Sequence, residues 1–230
     1  MTKEELNQQL KRFNVTDKID ELENLQNDTL ETNKLFNLTA ITDPNKFREL
    51  MILDSLYPLS LTDFDDKKII DIGTGAGYPG LPLAICSNGE FTLLDSTKKK
   101  IDHINEFAKR SGLLHVTAIN YRAEEYAKKH RDEYDIAIAR AVSSLNILLE
   151  LVMPLVKVGG YFIAMKGAKG IQEIEEAKNA LKTLGSEVIS IQEITLPESD
   201  EKRINILVQK KSETKSKYPR LYGEIVNKPL

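Results

Sequence analysis

A short glycine-rich stretch carries the residues best suited to chemistry. Residues 71–80 have the sequence Asp-Ile-Gly-Thr-Gly-Ala-Gly-Tyr-Pro-Gly and follow the apolar pair Ile69-Ile70. Glycine has no Cβ, so a turn built from it accepts positive φ and lets a nucleotide-like ligand approach the backbone. The glycines at 75, 77 and 80 also match a dinucleotide fingerprint. The stretch therefore predicts a strand, a ligand-binding turn and a helix, in that order.

A second acidic residue strengthens the prediction of a nucleoside site. The apolar residues 91–94 predict the next strand, and Asp95 ends it 22 residues after Gly73. A carboxylate in that position can accept hydrogen bonds from both ribose hydroxyls. Gly73, Gly75 and Asp95 are therefore candidate cofactor-binding residues. Because a ribose occurs in both S-adenosylmethionine and nicotinamide dinucleotides, Asp95 alone leaves both cofactors open.

From Lys67 onward the chain alternates predicted strands and helices. The strands are predicted at 68–72, 90–95, 115–120, 134–139 and 161–165, with helices at 97–111, 123–130, 144–156 and 170–184. Such alternation predicts an α/β fold with a doubly wound parallel sheet. Strands at 188–191 and 204–208 have no crossover helix between them, so they must form an antiparallel hairpin. A seven-stranded, mostly parallel sheet with this hairpin is typical of Rossmann-like class I S-adenosylmethionine methyltransferases.

The first part of the chain predicts a small helical cap, residues 1–60, ahead of a methyltransferase domain, residues 61–230. Apolar periodicity predicts helices at 2–12 and about 17–31. Asp43-Pro44 predicts the start of a third helix, which ends near Tyr57 because Pro58 follows. The apolar residues of that helix are Phe47, Leu50, Met51 and Leu53.

Several turns should meet at one edge of the sheet, because ligands of open α/β sheets bind at the carboxyl ends of the strands. The turn 121–124, with Ala123 and Glu124, follows the third strand and is predicted to bind adenine. Arg140 and Lys166 end the fourth and fifth strands. Tyr78 is predicted to form an apolar wall near the ribose or adenine.

Composition narrows the class of protein. The chain is 41% hydrophobic and 29% charged, with no apolar run of 18 residues and no apolar segment near Met1. We therefore expect no membrane span, no secretory signal and a cytoplasmic location. Cys86 is the single cysteine and the three histidines have no ligand spacing with it, so no metal site is expected. The net charge is −3, but the segment 202–230 has eight basic and two acidic residues, a local charge of +6.

Four stretches together resemble the bacterial 16S ribosomal RNA guanine-N7 methyltransferase family, also called glucose-inhibited division protein B. They are residues 33–39 with 52–56; residues 71–82; residues 93–96 with 122–124 and 139–141; and residues 164–167 with the C-terminal Tyr218-Pro219-Arg220, Gly223 and 228–230. The resemblance covers the chain from Asn33 to its end. Met51 departs from it, since relatives often carry histidine there.

The resemblance implies S-adenosylmethionine as cofactor and one guanine of 16S ribosomal RNA, free or in the 30S subunit, as substrate. The cofactor contacts that it implies are Gly73, Tyr78, Ala123, Glu124 and Arg140. Guanine N7 has a free lone pair and loses no proton on methylation, so positioning should supply most of the rate and no general base is nominated. Lys166 and Arg140 are candidate donors to guanine O6.

The C-terminal segment is a candidate RNA contact, because Lys217 and Arg220 alternate there with Tyr218 and Tyr222. Arg220 and Lys166 are thus the candidate substrate-binding residues. Two other functions stay open: a small-molecule methyltransferase of the same fold, and a nicotinamide-binding protein. We expect a monomer.

Overall fold

The fold is a single seven-stranded sheet with helices on both faces. The computed structural model describes residues 1–140 and 142–230. The strands are β1 (Lys68–Ile72), β2 (Glu90–Asp95), β3 (Val116–Asn120), β4 (Tyr134–Arg140), β5 (Val156–Gly167), β6 (Ser186–Thr195) and β7 (Lys202–Lys210), in the spatial order β3-β2-β1-β4-β5-β7-β6. β1 to β5 pair in parallel, and β7 pairs antiparallel with both β5 and β6. The predicted fold class is confirmed.

Helices alternate with the strands from β1 to β6, as the pattern predicts, and further helices precede and follow the sheet. Those before the sheet are α1 (Lys3–Leu10), α2 (Ile19–Asn33), α3 (Pro44–Phe47) and α4 (Asp54–Leu56). Those that follow β1 are α5 (Gly80–Ile85), α6 (Lys98–Arg110), α7 (Ala123–Lys129), α8 (Leu145–Val152), α9 (Gly170–Glu176), α10 (Lys178–Thr183) and α11 (Tyr222–Asn227). None of the helices in these described ranges is both long and apolar enough to cross a membrane.

Successive residues of β1 point to opposite faces of the sheet and join two separate apolar clusters. Ile69 packs with buried residues of α1, α2, α5 and α6, whereas Ile70 packs with residues of α7, α8, α10 and α11. The N-terminal helices therefore share a core with the sheet, on the same face as α5 and α6. The division at residue 60 stays a prediction.

The segment 44–60 differs from the single regular helix that was predicted. α3 passes into a π-helical stretch, Arg48–Leu53, before α4, and the path ends in a 3₁₀ turn, Tyr57–Ser60. A π stretch inserts extra residues into a turn and rotates the following side chains. Leu53 and Phe47 are fully buried as predicted, but Leu50 and Met51 are only partly buried. These two residues line a cavity described below.

The strand order reverses between β1 and β4, which lie side by side although two strands separate them in the chain. Ile70 of β1 faces Ala137 of β4 in this pairing. Connections from β1 and β4 leave the sheet in opposite directions at such a point, and the crevice between them is where ligands of open α/β sheets bind. Gly73 and Arg140 therefore lie at this crevice.

Candidate active site

The glycine turn is held to the neighbouring strand by its backbone. The amide groups of Gly73 and Thr74 both donate to the carbonyl of Leu94, at 2.8 and 3.0 Å. Gly73 and Gly75 have φ values of +70° and +62°, which side chains strongly disfavour. A Cβ on Gly73 would lie 2.6 Å from a methyl group of Val142, whereas one on Gly75 would meet nothing within 4 Å. Open space beside a glycine at a turn is what a close ligand needs.

The buried Asp71 side chain holds the glycine turn together through hydrogen bonds to both ends of it. One carboxylate oxygen, Oδ2, accepts hydrogen bonds from the Thr74 hydroxyl at 2.7 Å and the Gly80 amide at 2.9 Å. The other, Oδ1, is buried and has no partner among the described residues. Burial raises the pKa of Asp71 to about 6, although these hydrogen bonds and the charge of Arg140 oppose the shift.

Asp95 is placed to meet a ribose. Its Oδ2 accepts from the Gly75 amide at 3.0 Å, and its Oδ1 accepts from the Thr97 amide at 2.8 Å. A carboxylate has about four acceptor positions, so each oxygen keeps a lone pair for another donor. Asp95 is half-buried, and its remaining acceptor capacity lies at the wall of a cavity.

A cavity of about 280 Å³, here called the turn cavity, lies at the carboxyl ends of β1, β2 and β3. Its lining residues are Ile72, Gly73, Leu94, Asp95, Ser96, Tyr121, Arg122, Ala123, Glu124, Arg140, Val142, Leu151 and Tyr222. Five of the predicted cofactor residues are among them: Gly73, Asp95, Ala123, Glu124 and Arg140. Pattern reasoning had not placed Val142, Leu151 or Tyr222 here. Tyr222 is the first residue of α11, which packs against α8.

Tyr78 and Gly75 are not among the residues lining the turn cavity. The Tyr78 side chain is buried, and its hydroxyl lies 3.0 Å from the hydroxyl of Thr29 on α2. Its ring packs edge-on against Phe47, with centroids 5.5 Å apart. Burial raises the pKa of Tyr78. The ring thus joins the glycine turn to the N-terminal helices, and a direct cofactor contact by Tyr78 stays a prediction.

Arg140 connects the turn cavity with the helical segment 44–60. Its Nη1 donates to the Leu50 carbonyl at 3.2 Å and the Ser55 hydroxyl at 3.3 Å, and lies 3.5 Å from Asp54 Oδ2. Burial lowers the pKa of Arg140, while Asp54 and Asp71 oppose the shift. Ala141, which follows it in the stretch of sequence resemblance, lies outside the described residues.

A second cavity, of about 490 Å³ and here called the base cavity, lies beyond Arg140 at the carboxyl ends of β4 and β5. Its lining residues are Ile41, Leu50, Met51, Asp54, Arg140, Met165, Lys166, Gly167, Glu201 and Arg203. Arg140 belongs to both cavities. They therefore adjoin at the crevice where the strand order reverses.

The two predicted substrate-binding residues are both engaged in ion pairs. Lys166 Nζ lies 2.8 Å from Glu173 Oε2 and also donates to the Ser143 carbonyl, and its side chain is 4% exposed. Arg220 donates to the fully buried carboxylate of Glu150 through its backbone amide, Nε and Nη2. Contacts of these residues with RNA stay predictions.

The C-terminal segment is packed rather than extended. Tyr218 is 5% exposed, and Ile225 of α11 is fully buried in the same cluster as α8. Lys217 remains exposed, with its Nζ 5.1 Å from the ring centroid of Tyr218. The segment therefore completes the turn cavity through Tyr222 and leaves Lys217 on the surface.

A larger cavity, of about 620 Å³, lies at the opposite edge of the sheet. Lys18, Glu21, Cys86 and His115 are among the residues that line it. It contains none of the predicted site residues. Volume alone therefore does not identify the active site, whereas the strand-end position does.

Comparison with known proteins identifies the family. Residues 18–205 match the profile of the GidB family, described as rRNA small subunit methyltransferase G. The chain is 42% identical over 205 residues to ribosomal RNA small subunit methyltransferase G of Alkaliphilus metalliredigens, an alignment that covers 87% of this chain and 86% of that protein. It is 41% identical over 209 residues to the protein of the same name from Lactobacillus johnsonii, covering 87% of each.

Solved structures of more distant proteins share the fold. The crystal structure of M. jannaschii TYW2 in complex with AdoMet aligns with a TM-score of 0.54 at 16% identity, over 68% of this chain and 73% of that one. A precorrin-6y C5,15-methyltransferase from Geobacter metallireducens aligns with a TM-score of 0.52 at 17% identity, over 70% of this chain and 87% of that one.

Proposed function

Because the chain belongs to the GidB family of small-subunit ribosomal RNA methyltransferases, we propose that it methylates N7 of a guanine in 16S ribosomal RNA with S-adenosylmethionine as methyl donor. The observation that carries the proposal is that the turn cavity and the base cavity adjoin at Arg140. Methyl transfer requires a donor and an acceptor to meet within a few ångströms, and two cavities with a common wall provide that geometry.

The residues around the turn cavity fit S-adenosylmethionine. Asp95 has acceptor capacity for the ribose hydroxyls, and the turn that begins at Ala123 adjoins the place for adenine. The glycine turn leaves open space beside Gly75 for a ligand close to the backbone. Arg140 at the far wall offers a positive charge to the carboxylate of the methionine portion.

The protein's part in the chemistry is positioning. When bound, S-adenosylmethionine supplies an electrophilic methyl group next to a positively charged sulfur. Guanine N7 would form a bond to the methyl carbon with its lone pair as the carbon–sulfur bond breaks, and S-adenosylhomocysteine would leave. The base gives up no proton, so no side chain has to remove one. The protein must hold N7 in line with the methyl group and keep water out, and this orientation is the source of the rate.

Methyl transfer to three classes of acceptor tests the proposal. Labelled S-adenosylmethionine is incubated with 30S subunits, with naked 16S ribosomal RNA and with small-molecule acceptors. Label is expected as 7-methylguanosine at one position of the RNA. Asp95→Ala should lower this transfer, and Asp102→Ala, which removes an exposed acid of α6, should not. Label in another nucleoside, or in small molecules alone, contradicts the proposal.

The proposed substrate implies further properties of the chain. We propose that it acts in the cytoplasm as a monomer, with Lys217, Arg220 and Lys166 near the RNA. Salt dependence of RNA binding tests the first two of these residues. Lys217→Ala should reduce the slope of log affinity against log salt by about one, since an exposed lysine would contact one phosphate. An unchanged slope for Arg220→Ala would show that Arg220 contacts no phosphate.

A further inference from the structure

Asp54 is a buried carboxylate with one unused oxygen. The residue is 3% exposed, at the first position of α4. Its Oδ2 lies 3.2 Å from Arg203 Nε and 3.5 Å from Arg140 Nη1. Its Oδ1 is buried and has no hydrogen-bond partner within residues 1–140 and 142–230.

An unpaired buried carboxylate oxygen needs an explanation, since almost all buried polar atoms in proteins are hydrogen-bonded. Leaving such an atom unsatisfied destabilises the folded state, and more so for a charged group. The fold has nevertheless fixed this carboxylate with two arginines, which arrive from β4 and β7. Burial raises the pKa of Asp54, while Arg140 and Arg203 oppose the shift and Glu201 adds to it. Oδ2 accepts from Arg203 and faces Arg140, so Oδ1 is the oxygen left for a further donor.

Asp54 also lines the base cavity, which adjoins the turn cavity. We propose that Asp54 determines specificity by accepting hydrogen bonds from the N1–H and the N2 amino group of the target guanine in the base cavity. The inference rests on the proposed function, because it identifies which edge of the RNA base this site recognises.

Guanine suits a carboxylate better than the other bases do. Its Watson–Crick edge has two adjacent donors, N1–H and the N2 amino group, which two acceptor positions of one carboxylate can meet. Adenine and cytosine present an amino group beside a ring nitrogen acceptor, and uracil places its N3–H between two carbonyl oxygens. Each of these would bring an acceptor against the carboxylate and leave it unpaired.

The same contact orients the base for reaction. N1 is part of the six-membered ring and the N2 amino group is attached to that ring, whereas N7 is part of the five-membered ring on the opposite side of the purine. A guanine held through its N1 and N2 edge by Asp54 therefore presents N7 away from α4. Arg140 separates Asp54 from the turn cavity, and the segment between Leu50 and Asp54 forms the wall behind the base. Asp54 is in this sense a specificity residue and takes no proton.

Competition between guanosine and inosine tests the proposal, because inosine keeps N7 and lacks only the N2 amino group. 16S ribosomal RNA is transcribed with a mixture of GTP and ITP, supplied naked and as reconstituted subunits, and methylated to low conversion. The ratio of 7-methylguanosine to 7-methylinosine is then measured by mass spectrometry. The wild-type protein should prefer guanosine by about tenfold or more, since loss of the N2 amino group leaves a buried acceptor of Asp54 unpaired.

Asp54→Asn should bring the ratio close to that of the two nucleotides in the RNA. Asp28→Asn is the matched control: Asp28 is 14% exposed and pairs with Arg110 2.7 Å away but lines neither cavity, so this variant should keep the guanosine preference. Calorimetry with S-adenosylhomocysteine, which does not depend on methyl transfer, checks that both variants are folded.

The outcomes separate the two proposals. No methylation of either nucleoside by the wild-type protein contradicts the proposed function, and the inference fails with it. If the wild-type protein methylates both nucleosides in proportion to their abundance, the proposed function stands and the role of Asp54 is overturned. This outcome is measured on the wild-type protein alone. A guanosine preference that persists unchanged in folded Asp54→Asn also overturns it, since another group must then recognise the N2 amino group.

Discussion

The two cavities differ in the groups that hold their charged residues: backbone amides in one and charged side chains in the other. The turn cavity is formed by the ends of consecutive strands, and backbone amides hold its acid: Asp95 accepts from the amides of Gly75 and Thr97. The base cavity combines uncharged residues with charged side chains from distant parts of the chain. Asp54, Arg140 and Arg203 come from α4, β4 and β7.

This difference has a physical consequence. A backbone amide keeps its direction whatever the neighbouring side chains are, so the turn cavity is sensitive mainly to added bulk and to loss of Asp95, the carboxylate that these amides hold. Buried charges compensate one another, so removal of one partner leaves the others uncompensated at a large cost. The base cavity should therefore respond to changes of charge, and the turn cavity to changes of shape.

Loss of Arg140 should have the largest effect, because this residue belongs to both cavities. Arg140→Ala leaves Asp54 buried with one cation fewer, and the free energy of unfolding should fall by about 3–5 kcal/mol. Arg110→Ala is the matched control: its guanidinium is 61% exposed beside Asp28, and its loss should cost at most about 1 kcal/mol. Urea denaturation measures both variants. Equal losses would show that the Arg140 cluster contributes no more than a surface pair.

Gly73→Ala tests sensitivity to shape in the turn cavity. Its φ of +70° and the 2.6 Å approach to Val142 should together cost about 2–4 kcal/mol of unfolding free energy. Gly112 has nearly the same φ, +69°, with open space around it, so Gly112→Ala should lose only about 1–2 kcal/mol. If the two losses agree, Val142 moves aside and the close approach carries no cost.

Asp95→Ala should distinguish the role of the turn cavity in cofactor binding from the role of the base cavity in RNA binding. Loss of the ribose acceptor should weaken S-adenosylhomocysteine binding by about 1–3 kcal/mol, measured by calorimetry. The KM for RNA should change little, because Asp95 does not line the base cavity. Asp102→Ala controls for loss of a nearby acid. A rise in the KM for RNA with an unchanged dissociation constant for S-adenosylhomocysteine would reverse the assignment of the cavities.

The smallest expected effect concerns the pH dependence of stability. The pKa of Asp71 is raised from 3.8 to about 6 by burial, so the folded state binds this proton more tightly than the unfolded state does. The stability from this group is present below about pH 4 and is lost as the pH rises through about 6. Between about pH 4.5 and pH 7 the wild-type protein should lose about 1–2 kcal/mol relative to Asp71→Asn.

The asparagine in this variant can still accept from Thr74 and Gly80, so the comparison isolates the titration. The exposed acid Asp102 supplies a control, since Asp102→Asn should follow the wild-type pH profile. Urea denaturation at several pH values gives the measurement. Parallel profiles for the wild type and Asp71→Asn would mean that Asp71 titrates as an ordinary carboxyl group.

Local sequence was enough to predict the turn cavity in most of its parts. β1 and β2 begin and end where predicted, at 68–72 and 90–95. Gly73 and Asp95 line the cavity because each ends a strand of one parallel sheet, and this position follows from chain order alone. The hairpin of β6 and β7 was also predictable, although both strands are longer than the apolar runs indicated.

The base cavity could not be predicted in the same way. Leu50 and Met51 lie in a π-helical stretch where a regular helix is predicted, and both line the cavity. Asp54 had no assigned role, since one acid in a helix is usually solvated. Its burial depends on contacts with Arg140 and Arg203, which lie 86 and 149 positions later in the chain.

The sequence by itself determined the strands, the glycine turn and the acid that ends β2, because periodicity and the conformational freedom of glycine act between neighbouring residues. Tertiary structure alone decided that Tyr222 would close one cavity, that Glu150 would hold Arg220, and that Asp54 would keep an unpaired oxygen. Those outcomes depend on which charges are buried together, and burial is a property of the packed chain rather than of any segment within it.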